Sequence, residues 1–174
     1  PIGTIWYLYK YNGTSFTATS TGTSVVSGGT YASADTDGDG RPDLVYLSAA
    51  SPWTMSVQLN TGSGNLVSFA APVTTSLGLS PNAQINGLFG NNMLPNSPLK
   101  HYDFDGDGRD DLVLYYEVSP HGMTVDPFVA LLSRGTQGFV YGTEIYTSSL
   151  DTGTVEVVHW NDDGCADMVR DTTV

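Results

Sequence analysis

Two stretches carry most of the chemistry that this chain can offer. Asp35-Thr-Asp-Gly-Asp-Gly-Arg-Pro-Asp43-Leu-Val and Asp103-Phe-Asp-Gly-Asp-Gly-Arg-Asp-Asp111-Leu-Val repeat one pattern, with Asp at positions 1, 3, 5 and 9 and Gly at positions 4 and 6. A third copy, His159-Trp-Asn-Asp-Asp-Gly-Cys-Ala-Asp167-Met-Val, keeps part of it. The copies start 68 and 56 residues apart, and 12 of the 18 acidic residues fall inside the three nine-residue windows.

Asp at positions 1, 3 and 5 sets three carboxylates on one side of a tight turn. Position 7 offers a backbone carbonyl, and Asp at position 9 closes the shell. Hard oxygen donors in this number suit Ca²⁺, which takes about 6–8 oxygens at ~2.3–2.6 Å. Glycine at positions 4 and 6 lets the chain wrap an ion without a Cβ penalty. Without a cation, carboxylates this close repel one another. An EF-hand would need a bidentate Glu at position 12 and flanking helices. That position holds Tyr46 or Leu114, each inside an apolar, strand-like run. Mg²⁺ prefers fewer protein ligands and keeps its waters, which ranks it below Ca²⁺. In the third copy, His159 replaces the first Asp, Asn161 loses a charge, and Asp162 stands where the others have Gly. It is either a weaker site or a hairpin that holds no ion.

Catalytic patterns are absent from the sequence. His101, His121 and His159 are scattered, and no nucleophile elbow, zinc helix or phosphate loop appears. No nucleophile, base and orienting group can be assembled from these motifs, so the expected function is non-enzymatic. A net charge of −12 argues against a nucleic-acid partner held through phosphates. No apolar run is long enough to insert in a membrane. The single cysteine, Cys165, provides no disulfide framework.

The elements that must position the acidic turns are strands. The 174 residues include 20 Gly, 9 Pro and 10 Tyr but only 3 Glu and 2 Lys, a composition poor in helix formers. Met55–Leu59 and Thr154–Val158 alternate with period 2, whereas Leu44–Leu47 and Leu112–Tyr116 read as strands covered on both faces. Each acidic turn follows a second shared feature, an alternating strand, a Gly turn and an aromatic: Trp6–Tyr11 with Gly13 and Phe16, Trp53–Leu59 with Gly62 and Phe69, and Phe128–Ser133 with Gly135 and Phe139. The expectation is an all-β chain forming a single domain, 1–174, of three repeats, about 1–50, 51–120 and 121–174, each a four-stranded propeller-type blade. The second repeat is longest, with an insertion within Leu77–Lys100 that includes Leu88, Phe89, Met93 and Leu94.

The acidic turns, together with Val57-Gln-Leu-Asn-Thr-Gly-Ser-Gly and Phe69 beyond it, resemble FG-GAP/VCBS repeats, the calcium-binding blades of integrin-α-like β-propellers. A weaker likeness, in the Thr- and Asn-rich style, is to repeats of bacterial RHS-type and Tc-toxin-like surface proteins. The resemblance implies that Asp35, Asp37, Asp39, the Arg41 carbonyl and Asp43 ligate one Ca²⁺. The matching set is Asp103, Asp105, Asp107, the Arg109 carbonyl and Asp111, giving two ions. Asn161, Asp163, the Cys165 carbonyl and Asp167 form the weak third shell. Three blades do not close a ring, so the resemblance implies a partial propeller with neighbouring blades from a longer chain, or one part of an oligomeric ring.

The function expected from these features is a non-catalytic, calcium-stabilised module for protein interaction or scaffolding, outside the cell or on its surface, where calcium is plentiful. The alternative is a lectin, with Trp6, Trp53, Trp160 and the tyrosines offering flat faces to a glycan. Trp6 and Trp53 occupy equivalent strand positions, which also suits packing between blades.

Overall fold

A computed structural model of the chain describes residues 5–24, 29–63, 66, 68–89, 102–117, 125–148, 155–161 and 163–170. Among them the regular structure is β-strand apart from one 3₁₀ turn at Gly135–Gln137. No helix among the described residues is long and apolar enough to cross a membrane.

Among the described residues four antiparallel sheets follow one another, and none of them closes into a barrel. The first pairs β1 (Ile5–Tyr11) with β2 (Phe16–Ser24). The second is a meander of β3 (Thr30–Ala34), β4 (Asp43–Leu47), β5 (Thr54–Gln58) and β6 (Val73–Ser76). The third repeats that meander with β7 (Gln84–Phe89), β8 (Leu112–Glu117), β9 (Val125–Ser133) and β10 (Phe139–Ser148). The fourth pairs β11 (Val155–Val158) with β12 (Asp167–Arg170).

The sequence leads one to expect three four-stranded units; the described residues form two four-stranded and two two-stranded sheets. The phase differs as well. The expected boundaries at 50/51 and 120/121 fall between the second and third strands of the two meanders. The cause is the order of the parts. In each meander the acidic turn joins strands one and two, while the alternating strand with its Gly turn supplies strands three and four. The chain opens with the latter pair, so counting from its first residues shifts every boundary by half a sheet.

Packing is face to face. Val45, Leu47, Met55 and Val57 of the second sheet share one core with Leu112, Leu114, Val129 and Leu131 of the third. The residue between the two leucines, Val113, points to the opposite face and joins Tyr102, Val157 and Ala166 in a second core under β11 and β12. Strand β8 is therefore covered on both sides, as its unbroken apolar run requires. Strand β4 instead alternates buried and half-buried, with Leu44 and Tyr46 on the thinner side. There β1 and β2 pack lightly, through Trp6 edge-on to Tyr31 at 4.8 Å between ring centroids. Of the insertion, residues 84–89 form β7, and Leu77 and Leu88 enter the main core. Met93 and Leu94 lie outside the described residues, as do His101 and His121.

Candidate metal centres

Each acidic turn folds around its own first carboxylate. Asp35 Oδ1 accepts the N–H groups of Gly38 and Asp39 at 3.0 Å each, and Oδ2 accepts that of Gly40 at 2.7 Å. Asp103 repeats this, taking Asp107 N–H at 3.0 Å and Gly108 N–H at 2.8 Å. Position 4 has φ of 77° at Gly38 and 73° at Gly106, a left-handed conformation that favours glycine. The outcome is two matching triads, Asp35–Asp37–Asp39 and Asp103–Asp105–Asp107, in each of which one carboxylate oxygen per residue lies within 4.8 Å of the others. Three hard anionic donors gathered this closely fit part of a Ca²⁺ shell chemically.

Guanidinium groups sit on the outer edge of both triads. Arg41 pairs with Asp39 and donates from Nε to the Asn60 carbonyl at 2.8 Å. Arg109 pairs with Asp107 in the same way. The second triad has a further cation, Arg134 at the end of β9, with Nη1 2.7 Å from Asp105 Oδ2 and 3.6 Å from Asp107 Oδ2.

The position-9 carboxylates, expected to close the shells, stand behind the triads as posts of the turn. Asp43 is 2% exposed; its Oδ2 accepts the Thr36 N–H at 2.9 Å and the Thr36 hydroxyl, and its Oδ1 accepts the Asn60 N–H at 2.7 Å. Asp111 is fully buried and accepts the N–H groups of Phe104 and Ser133 at 2.7 Å each. Burial pushes the Asp43 carboxyl upward against these donors. The same desolvation, with smaller contributions from Asp105 and Asp103, pushes Asp111 up to about 7 even though both N–H donors pull it down.

The third turn keeps the frame, and among its described residues no carboxylate triad forms. Trp160 N–H donates to Asp167 Oδ2 at 3.0 Å, the counterpart of Thr36 to Asp43 and Phe104 to Asp111. Asn161 Oδ1 accepts Asp163 N–H at 3.1 Å, and Asp163 Oδ1 accepts Cys165 N–H at 2.9 Å. His159 Nδ1 lies 2.7 Å from the Cys165 carbonyl, the group that the position-7 role would present to an ion. A ring nitrogen thus satisfies the oxygen. Partial burial and the carboxylates of Asp163, Asp103, Asp167 and Asp105 push the Cys165 thiol upward.

Successive turns dock by one rule. Asp110 N–H donates to the Asp35 carbonyl at 2.8 Å, and Ala166 N–H donates to the Asp103 carbonyl at 2.6 Å: position 8 of each turn bonds position 1 of the turn before. Position 4 faces the same junction. A Cβ on Gly38 would lie 3.1 Å from the Gly108 carbonyl oxygen, and one on Gly106 would lie 3.1 Å from Cys165 Sγ. Sequence reasoning missed Thr36, Asp110, Ser133 and Arg134. The ligand pattern treats positions 2 and 8 as spacers, and Ser133 and Arg134 come from a distant strand end.

Of the three tryptophans, Trp6 and Trp53 are half-buried and Trp160 is 77% exposed. A cleft of about 360 Å³ opens between the β1–β2 hairpin and the first acidic turn, lined by Trp6, Tyr7, Phe69, Arg41 and Asn60 among others. Comparison with protein-family models, curated proteins and solved structures returned no match to this chain.

Proposed function

We propose that this chain is a non-catalytic, calcium-stabilised module of propeller-type blades, used for protein interaction or scaffolding outside the cell or on its surface. One observation carries the reading: the same turn is built twice, each time converging three carboxylates within 4.8 Å. In this reading Asp35, Asp37 and Asp39 hold one Ca²⁺ and Asp103, Asp105 and Asp107 hold another. The Arg41 and Arg109 carbonyls, with Asp43 and Asp111, are the remaining ligand candidates. The bound ion supplies charge neutralisation, and the chain supplies a turn already closed by its backbone N–H groups. The two consecutive four-stranded meanders packed face to face support the blade assignment. Further blades, from a longer chain or from a second copy, would adjoin them.

The test is calcium titration by calorimetry combined with thermal unfolding in Ca²⁺ and in excess chelator. Two ions per chain and a lower melting temperature in chelator are expected. An unchanged melt and no bound ion would remove the proposal. The cleft beside the first turn favours one second reading, a calcium-stabilised lectin, because aromatic faces flanked by Arg41 and Asn60 suit a sugar ring. A glycan array run with Ca²⁺ and with EDTA separates the two readings.

A further inference from the structure

We propose that the first two acidic turns bind their cations as a coupled pair, with Asp110 and Ser133 as the coupling residues; this rests on the cation-binding reading above. The turns are clasped by a reciprocal pair of hydrogen bonds between Asp35 and Asp110. Asp35 N–H donates to Asp110 Oδ2 at 2.7 Å, and Asp110 N–H returns to the Asp35 carbonyl at 2.8 Å. Asp35 opens the first triad, whereas Asp110 stands between Arg109 and Asp111 in the closing limb of the second turn and is only 5% exposed. A second tie runs through the fully buried Ser133. Its N–H donates to Asp111 Oδ1 and its hydroxyl to the Thr36 carbonyl, both at 2.7 Å. Thr36 in turn donates its own N–H to Asp43.

These ties connect the parts of each turn that an ion would move. Drawing Asp35, Asp37 and Asp39 around a cation resets the first residue of the turn against its centre. Asp35 cannot shift without Asp110, and Asp110 carries the closing limb of the second turn with it. Because the bonding groups are largely removed from water, a broken tie leaves a buried polar atom unpaired, which opposes independent movement. The arrangement that suits one ion therefore favours the arrangement that suits the other, and by linkage the effect is reciprocal. Asp110 is not one of the converging carboxylates, so it can be removed while both triads stay intact.

The experiment is calorimetric Ca²⁺ titration of the full chain beside Asp39→Ala, which disables the first triad, and Asp107→Ala, which disables the second. In the single-site variants the remaining ion should bind about 5- to 150-fold more weakly than the second ion binds the unaltered chain, the usual span of coupling between sites. Asp110→Ala should bind two ions at the single-site affinities, and Asp110→Asn, which keeps an acceptor oxygen, should stay near the unaltered chain. If Asp110→Ala fails to fold, Ser133→Ala decides: it cuts the tie to Thr36 and a local bond from Gly135 N–H, and keeps the backbone N–H bond to Asp111; weakened coupling supports the proposal and unchanged coupling overturns it. A wild-type curve equal to the sum of the two single-site curves also overturns it. Absence of any bound ion in the unaltered chain would remove the cation-binding reading itself, and the coupling with it.

Discussion

Arg134 Nη1 approaches Asp105 Oδ2 to 2.7 Å, so the second carboxylate triad is partly neutralised by a side chain from outside its own turn. Among the described residues the first triad has only the internal Arg41 pair. Two triads of the same sequence pattern therefore meet a cation with different starting charge. Arg134→Gln should tighten Ca²⁺ binding at the second turn by up to about fivefold, the scale of a half-exposed ion pair of ~1 kcal/mol or less. Site-resolved titration in an Asp39→Ala background checks this, and equal affinity with and without Arg134 would refute it.

Ion removal should be felt as lost stability. A ligand present at about 100 times its Kd stabilises the native state by about 2.7 kcal/mol per site. Chelation should therefore lower the melting temperature clearly. Asp107→Ala should remove one ion per chain, whereas Asp163→Ala should leave the stoichiometry unchanged. Calorimetry returning three equivalent sites would show the third turn to be a full one.

How much of this was legible in the sequence depends on the range of each contact. The triads were, because positions 1, 3 and 5 lie within one turn whose glycines fix its path. The both-face burial of β8 was equally plain in Leu112-Val-Leu-Tyr-Tyr. The partners of Asp43 and Asp111 were not: Asn60 and Ser133 donate to them from 17 and 22 residues away. Arg134 reaches Asp105 across 29 residues, and Ser133 reaches Thr36 across 97. Such contacts follow from how the sheets stack, and nothing in the local pattern encodes the stacking. The half-sheet shift in phase has the same origin.

The metal-free protein should lose stability as pH rises from about 4 to about 7. Burial holds the Asp111 carboxyl protonated up to about 7, whereas an unfolded carboxyl releases its proton near its ordinary value of 3.8. Between those values the folded state binds the extra proton, so unfolding becomes easier with rising pH, by at most about 1.4 kcal/mol per pH unit for one group. Above about 7 this contribution levels off. Thermal melts in chelator across this window check the sign; a melting temperature that climbs from pH 5 to pH 7 contradicts it.

Gly38→Ala should destabilise the protein more than Gly40→Ala. Both residues have positive φ, 77° and 83°, so each substitution carries a backbone cost of about 1–2 kcal/mol. Only at Gly38 would the new Cβ also press on a backbone oxygen, that of Gly108 at 3.1 Å; nothing lies within 4 Å at Gly40. Denaturant midpoints for the two variants provide the comparison, and equal losses would mean that the junction between turns yields freely.

Cys165 should react slowly with thiol reagents in the folded chain. Partial burial and the carboxylates around it disfavour the thiolate that does the attacking. Labelling at the rate of a free peptide thiol under native conditions would contradict this.

The hydrogen bond from His159 to the Cys165 carbonyl sets the third turn apart from the other two in charge. The first two turns gather three like charges each, countered in part by Arg41, Arg109 and Arg134. The third turn closes on a contact only six residues long that its own side chain supplies. Nδ1 donates to that carbonyl either as the imidazolium or as the neutral tautomer carrying its hydrogen there, so the latch does not depend on one protonation state. The turn between β11 and β12 is therefore latched without a cluster of like charges. Where the first two turns are closed by a carboxylate at position 1, the third is closed by an imidazole, so its hairpin is held without adding to the acidic charge of the chain.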